Sequence, residues 1–129
     1  SMRILGLDYG SKRVGVALSD ESAQVAFPQA VWANDGKLLG KIKALCDEKK
    51  VGEVIMGDTL TYRGLANLIT KEAFRFRANL EKELGLPVTL ISETYTSREA
   101  VRVVQKDAET DARAAALILQ SYLDKRNLK

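Results

Sequence analysis

The chain has 129 residues, 46% of them hydrophobic and 29% charged, so residues 1–129 are expected to form one domain with a sizeable core and no second lobe. With no histidine and one cysteine, Cys46, it excludes histidine-based triads, histidine-ligated zinc, an internal disulfide and a cysteine metal cluster. Basic residues outnumber acidic ones 20 to 17, and the surplus lies in the second half: 8 of each sign in residues 1–60 against 12 basic and 9 acidic in 61–129. That surplus is compatible with phosphate contacts and also ordinary for a soluble protein.

No apolar stretch approaches the roughly 20 residues of a membrane span; the longest is Ala114 to Leu119. Asp8 and Lys12-Arg13 interrupt the apolar region that a secretory signal would need, so the expected location is cytoplasmic.

In chain order, Arg3 to Tyr9 is a short β-prone run followed by Gly10-Ser11. Val14 to Ser19 alternates Val14, Val16 and Leu18 with small residues, and the two runs predict a hairpin. A third strand is expected from Gln24 to Trp32, with Pro28 tolerated only at a sheet edge or bulge. Asn34 or Asp35 can cap a helix in which Leu38, Leu39, Ile42, Leu45 and Cys46 recur at helical spacing. A fourth strand covers Glu53 to Met56, Gly57 to Asn67 reads as a loop, and a second helix buries Ile69, Ala73, Phe76, Leu80 and Leu84 before Gly85 stops it. Pro87 to Ile91 is the fifth strand. Helices are expected from Ser97 to about Lys106 and from Asp111 to about Arg126.

The order βββαβαβαα predicts an α/β fold with a mixed five-stranded sheet, its first three strands antiparallel and its last two parallel, flanked by helices. In that sheet Asp8 shares a face with Ile4 and Gly6, where a carboxylate needs a partner: a cation, a set of donors or a metal. The alternative is that Asp8 ends the strand and binds turn amides. Glu93 follows the fifth strand, at the end where open α/β sheets place ligands. Asp111 starts the last helix, where a carboxylate also serves as a cap. Should the three converge, an all-oxygen set prefers Mg²⁺ or Mn²⁺, and the matching chemistry is phosphodiester hydrolysis.

The run Leu7-Asp8-Tyr9-Gly10-Ser11-Lys12-Arg13-Val14-Gly15-Val16-Ala17-Leu18-Ser19-Asp20 resembles the opening signature of the YqgF family. Ser92 to Ala100 and Asp111 to Leu123 resemble its acidic segment and its last helix, so the likeness covers nearly the whole chain. The resemblance implies a ribonuclease H-like fold and a metal-dependent nuclease. Members are described as Holliday junction resolvases and as nucleases processing the 5′ end of pre-16S ribosomal RNA. It also implies that Asp8, Glu93 and Asp111 are both the catalytic residues and the ligands of Mg²⁺ or Mn²⁺. The chain departs from the family pattern at Ser92-Glu93-Thr94, where an Asp-Glu-Arg triplet is usual, and at Gly57-Asp58-Thr59-Leu60, where Gly-Leu-Pro is common. The connection from Ser97 to Asp111 is also shorter than usual. Arg98 or Arg63 can stand in for the missing arginine, and Asp58 serves as a loop cap or an extra ligand.

Lys12, Arg13, Arg63, Arg98 and Arg102 are candidate phosphate contacts to a nucleic-acid partner, and Tyr62 and Tyr95 are candidates for stacking on bases. Two further readings compete with the nuclease: a non-catalytic nucleic-acid-binding module of the same fold, and the phosphate hairpin of actin-like ATPases, which needs a second lobe that 129 residues do not provide. Monomer and homodimer both remain open.

Overall fold

A computed structural model describes residues 2–57, 66–91 and 111–128, and for residues 66–70 and Asp111 the backbone alone. The chain opens with three strands, β1 (Arg3–Asp8), β2 (Arg13–Ser19) and β3 (Ala26–Ala33). Helix α1 (Leu38–Lys49), strand β4 (Val51–Gly57), helix α2 (Ala66–Leu84) and strand β5 (Val88–Ile91) follow. Helix α3 (Asp111–Arg126) closes the described chain. The sheet order is β3-β2-β1-β4-β5. The β1–β2 and β2–β3 pairs are antiparallel, and the β1–β4 and β4–β5 pairs are parallel. This is the mixed sheet that the sequence predicts, with β1 at its centre. The expected helix from Ser97 to Lys106 lies outside the described residues.

Element boundaries moved where side chains or backbone turns intervene. β3 starts at Ala26 rather than Gln24, because the amides of Gln24 and Val25 donate to Asp20 Oδ1 at 2.8 and 3.1 Å and so belong to the preceding turn. Pro28 sits on the edge strand next to a register shift, which spares it a ladder bond. β4 starts two residues earlier than expected, since Lys50 turns the chain in the left-handed region (φ 57°), with its N–H on the Cys46 carbonyl, straight into Val51. Gly85 ends α2 in the same conformation (φ +68°), its N–H donating to Glu81 O at 2.9 Å.

Alternation along β1 divides the core into two layers. Leu5 and Leu7 join Val14, Val16 and Leu18 under α1 and α2, where Leu38, Ile42, Cys46 and Leu80 are buried. Ile4, Ala17 and Ile55 face α3 through Ile118, Leu119 and Leu123. Small residues allow α3 to lie close to the sheet: a Cβ on Gly6 would stand 2.8 Å from Leu119 Cβ, and one on Gly57 would stand 3.1 Å from Ile118 Cδ1. Polar contacts fix the far end of this helix. The Tyr122 hydroxyl donates to Glu53, Gln120 bonds the backbone at Gln24 and Ala26, and the Asn127 amide donates to the Ala23 carbonyl.

Candidate active site

Asp8 is the last residue of β1 and is only 4% exposed. Its register partners are Gly15 on β2 and Gly57 on β4, and Gly57 is in turn paired with Ile91 on β5. Partners in register share a face, so the carboxylate lies on the α3 side of the sheet, with no side chain beside it from either neighbouring strand. That glycine-flanked acidic position is a feature a cation fits. The other donors in the chain agree, because the only cysteine is buried in the opposite core layer and desolvation there pushes its thiol up to about 11. Among the described residues no group of three or more acidic, cysteine or histidine side chains stands ready to hold an ion; of the three expected ligands, only the Asp8 side chain is described.

The exit of β5 and the start of α3 both lie toward the Asp8 edge. β4 and β5 run parallel to β1 and end level with Asp8, so the chain leaves β5 there, and Glu93 comes two residues after Ile91, outside the described residues. Helix α3 runs antiparallel to β1. Tyr122 meets Glu53, which is in register with Ile4, whereas Ile118 lies over Gly57, in register with Asp8. The first residue of α3, Asp111, is seven residues before Ile118, about 10 Å of helix rise, and therefore toward the Asp8 edge. Arg63, Arg98, Arg102, Tyr62, Tyr95 and Asp58 lie outside the described residues.

The hairpin after Asp8 holds the remaining candidates. Tyr9 N–H continues the parallel ladder onto Gly57 O at 2.9 Å. A Cβ on Gly10 would stand 2.6 Å from Arg13 O, so this tight turn admits only glycine without rearrangement. Lys12 and Arg13 follow, both exposed. Asn34 braces the turn from the end of β3: its Nδ2 donates to Gly10 O and its backbone N–H to Lys12 O, both at 2.8 Å.

The sequence offered Asn34 or Asp35 as a helix cap, and the structure divides the work differently. Asp35 Oδ1 accepts the Lys37 N–H at 2.9 Å and Asp35 O accepts the Leu38 N–H at 3.1 Å, just ahead of α1, while Lys37 at the N-cap makes no side-chain cap bond. Asn34 works at long range instead, 24 residues from Gly10, and no local pattern marks such a role. Two further polar residues escaped the sequence reading. Asp20, at the end of the opening signature, gathers the Gln24 and Val25 amides and the Ser22 hydroxyl, which together lower its carboxyl from 3.8 to about 2. Ser19 is buried, its Oγ accepting the Ile4 N–H at 2.8 Å and donating to Asp20 O at 2.9 Å.

A mixed sheet in this order, with an acidic residue ending the central strand and a helix crossing the same face, is a ribonuclease H-like fold. Two solved structures share the fold. Thermus thermophilus RuvC in complex with a Holliday junction substrate has a TM-score of 0.61 at 17% identity, over 98% of this chain and 96% of that one. The fowlpox virus Holliday junction resolvase has a TM-score of 0.55 at 15% identity, over 97% and 99%. Residues 2–125 match the family model RuvX, described as Holliday junction resolvase, and the chain belongs to that family. A relative from Syntrophus aciditrophicus is 38% identical over 95% of this chain and 89% of its own length. Another, from Mycoplasmopsis synoviae, is 36% identical over 95% and 98%. Both are provisionally named pre-16S rRNA nuclease. These names are those of nucleases acting on phosphodiester bonds. Among the described residues, no helix is long and apolar enough to cross a membrane.

Proposed function

We propose that this chain is a metal-dependent nuclease that hydrolyses phosphodiester bonds in structured nucleic acid, and that its substrate is the 5′ end of pre-16S rRNA. The observation that carries the reading is Asp8, a buried carboxylate closing the central strand between two glycines, in a chain whose relatives bear that nuclease's name. Asp8, Glu93 and Asp111 are the catalytic residues in this reading and would hold the ion, and their oxygen donors favour Mg²⁺ or Mn²⁺. Such an ion, when bound, neutralises phosphate charge and makes an attacking water more acidic.

Lys12 and Arg13, together with Arg63 and Arg98, hold the strand by its phosphates and position the scissile bond without reading sequence. Asn34 keeps the Lys12 turn in place for that contact. Processing of ribosomal RNA sets the protein in the cytoplasm. The description of its family favours a second substrate, the four-way DNA junction. Cutting two symmetric strands of a junction requires a homodimer, whereas trimming one RNA end needs only a monomer.

The test incubates the protein with a pre-16S leader RNA, duplex RNA and a four-way DNA junction, in Mn²⁺, Mg²⁺ and EDTA, beside Asp8→Asn and Glu93→Gln. Cleavage is expected to require metal and to vanish in both variants, with the leader RNA cut fastest. Fastest cleavage of the junction selects the resolvase reading. Full activity in Asp8→Asn overturns the carboxylate mechanism, and salt-sensitive binding without turnover assigns the chain to non-catalytic binding modules.

A further inference from the structure

Helix α2 carries a surface that the active site does not use. Its inner side is fixed by Ala73, Leu80 and the half-buried Phe76, and at 100° per residue the opposite side presents Lys71, Phe74, Arg75, Ala78 and Lys82. All five are exposed, Phe74 to 51%. No acidic residue falls within this stripe: Glu72 and Glu83 flank it, and Glu81 is turned to the Val88 N–H at 3.1 Å. Three cations and one aromatic ring are thus displayed along about 16 Å of helix.

Two contacts give the ring a defined setting. The Arg77 guanidinium carbon lies 6.0 Å from the Phe74 ring centroid, and Arg77 Nε is buried with no hydrogen-bond partner among the described residues. Two residues further along α2, the Phe76 ring packs on Tyr9 at 5.1 Å between centroids, and Tyr9 follows Asp8 in the chain. The inner side of α2 is thereby seated on the residue that follows the candidate catalytic carboxylate, while the stripe faces outward.

We infer that the outward face of α2 holds an unpaired nucleic-acid strand, with Phe74 stacking on a base and Lys71, Arg75 and Lys82 meeting successive phosphates. Cations interleaved with a solvent-facing ring match the chemistry of single-strand binding, in which the ring takes any base and the cations follow the backbone. A duplex has no free base face to offer Phe74. A membrane or a second protein chain is a poorer fit, because the only other apolar side chain on the stripe is Ala78 and either partner needs a broader apolar area. The inference rests on the nuclease reading for its biological sense, and it assigns the strand a path outside the cleavage site.

The experiment measures binding of the full chain to a labelled single-stranded oligoribonucleotide in EDTA, where no cleavage interferes, across a series of salt concentrations. Lys71→Gln/Arg75→Gln/Lys82→Gln is expected to weaken binding at least about tenfold and to reduce the log–log salt slope by about 2, from roughly 0.7 for each phosphate contact on a single strand. Phe74→Ala is expected to lose about tenfold with the slope unchanged, within the range that base stacking on an aromatic ring supplies. Affinity for duplex RNA should hardly change in Phe74→Ala. Both variants should cleave bis(p-nitrophenyl) phosphate in Mn²⁺ at the wild-type rate, which separates this face from the reaction site. A wild-type protein that cleaves none of the nucleic acids in metal refutes the nuclease reading and leaves the EDTA measurement intact. As a check independent of stability, Phe74→Cys labelled with a fluorophore should respond to RNA, since the buried Cys46 does not compete for the label. Unchanged affinity and slope in the triple variant overturn the inference. So do a silent fluorophore and a dimer that dissociates in Phe74→Ala.

Discussion

Gly6→Ala should damage both stability and activity, whereas Gly57→Ala, on the adjacent strand, should do much less. At Gly6 the added methyl would stand 2.8 Å from Leu119 Cβ, an atom tied to the backbone of α3, so relief requires the helix to move by about 1 Å toward ordinary contact. At Gly57 it would meet Ile118 Cδ1 and Cγ2, both at 3.1 Å, a contact relieved by a shift of a few tenths of an ångström. Overpacking a core costs about 1–3 kcal/mol, while alanine in place of a strand glycine returns roughly 0.5–1 kcal/mol of backbone entropy. The net is a loss of about 1–2 kcal/mol for Gly6→Ala and a value near zero for Gly57→Ala. With an unfolding entropy of roughly 2.1 cal/mol/K per residue, a chain of this length melts about 4–7 °C lower in the first case. Since Asp111 heads α3, a 1 Å displacement also moves it relative to Asp8, and misplacement of that size costs about 100-fold in rate. Calorimetry and metal-dependent cleavage on both variants test this. A Gly6→Ala protein with wild-type melting temperature and rate, or a Gly57→Ala protein more damaged than Gly6→Ala, refutes the claim that α3 seats Asp111 through its contact with Gly6.

Asn34→Ala removes the bond to Gly10 O and leaves the backbone bond to Lys12 O, so it should lower stability by about 1 kcal/mol and raise KM several-fold with a smaller change in kcat; steady-state kinetics and thermal melting measure the split. Cys46 should resist thiol reagents at pH 8 until the chain unfolds, because burial raises its pKa to about 11, and a thiol titration with and without denaturant reads this directly. The Asp20 carboxyl is lowered from 3.8 to about 2 by the Gln24 amide, the Ser22 hydroxyl and the Val25 amide, so its contribution is fully present above about 3.8 and is lost as pH falls through 2. The difference in melting temperature between wild type and Asp20→Ala should therefore shrink between pH 4 and pH 2, and a difference that stays constant contradicts the assignment.

Much of the fold was legible because its signals are local. Alternation placed Leu5 and Leu7 on one face of β1 and Asp8 with Ile4 and Gly6 on the other, and the two core layers divide along that line. Pro28 could be assigned to an edge from its missing donor alone, and α3 runs over the bounds its periodicity gives. Of the site, the sequence singled out Asp8 and the start of the last helix, and topology then brought both to one edge with the exit of β5. What it hid are contacts between residues far apart in sequence. Asn34 looks like a cap because its amide suits both a cap and a carbonyl 24 residues away. Asp20 and Ser19 look like solvated residues at the end of a strand, yet one gathers a turn and the other receives the Ile4 N–H across the sheet.

The glycines around Asp8 follow from the same geometry. Gly15 and Gly57 flank Asp8 in register, and Gly6 lies one row away under Leu119, so the α3 face of the sheet is shallow around Asp8 and where the helix approaches the backbone. The opposite face has no such requirement and is filled with leucine, valine and methionine beneath α1 and α2. One residue separates the two environments: Asp8 points to the shallow face, and Tyr9, packed on Phe76, belongs to the filled one. That single step of alternation puts the carboxylate and the basic helix α2 on opposite sides of one strand end. A strand bound along α2 would therefore have to pass around this strand end to reach Asp8, the end at which Lys12 is exposed and Asn34 holds the backbone.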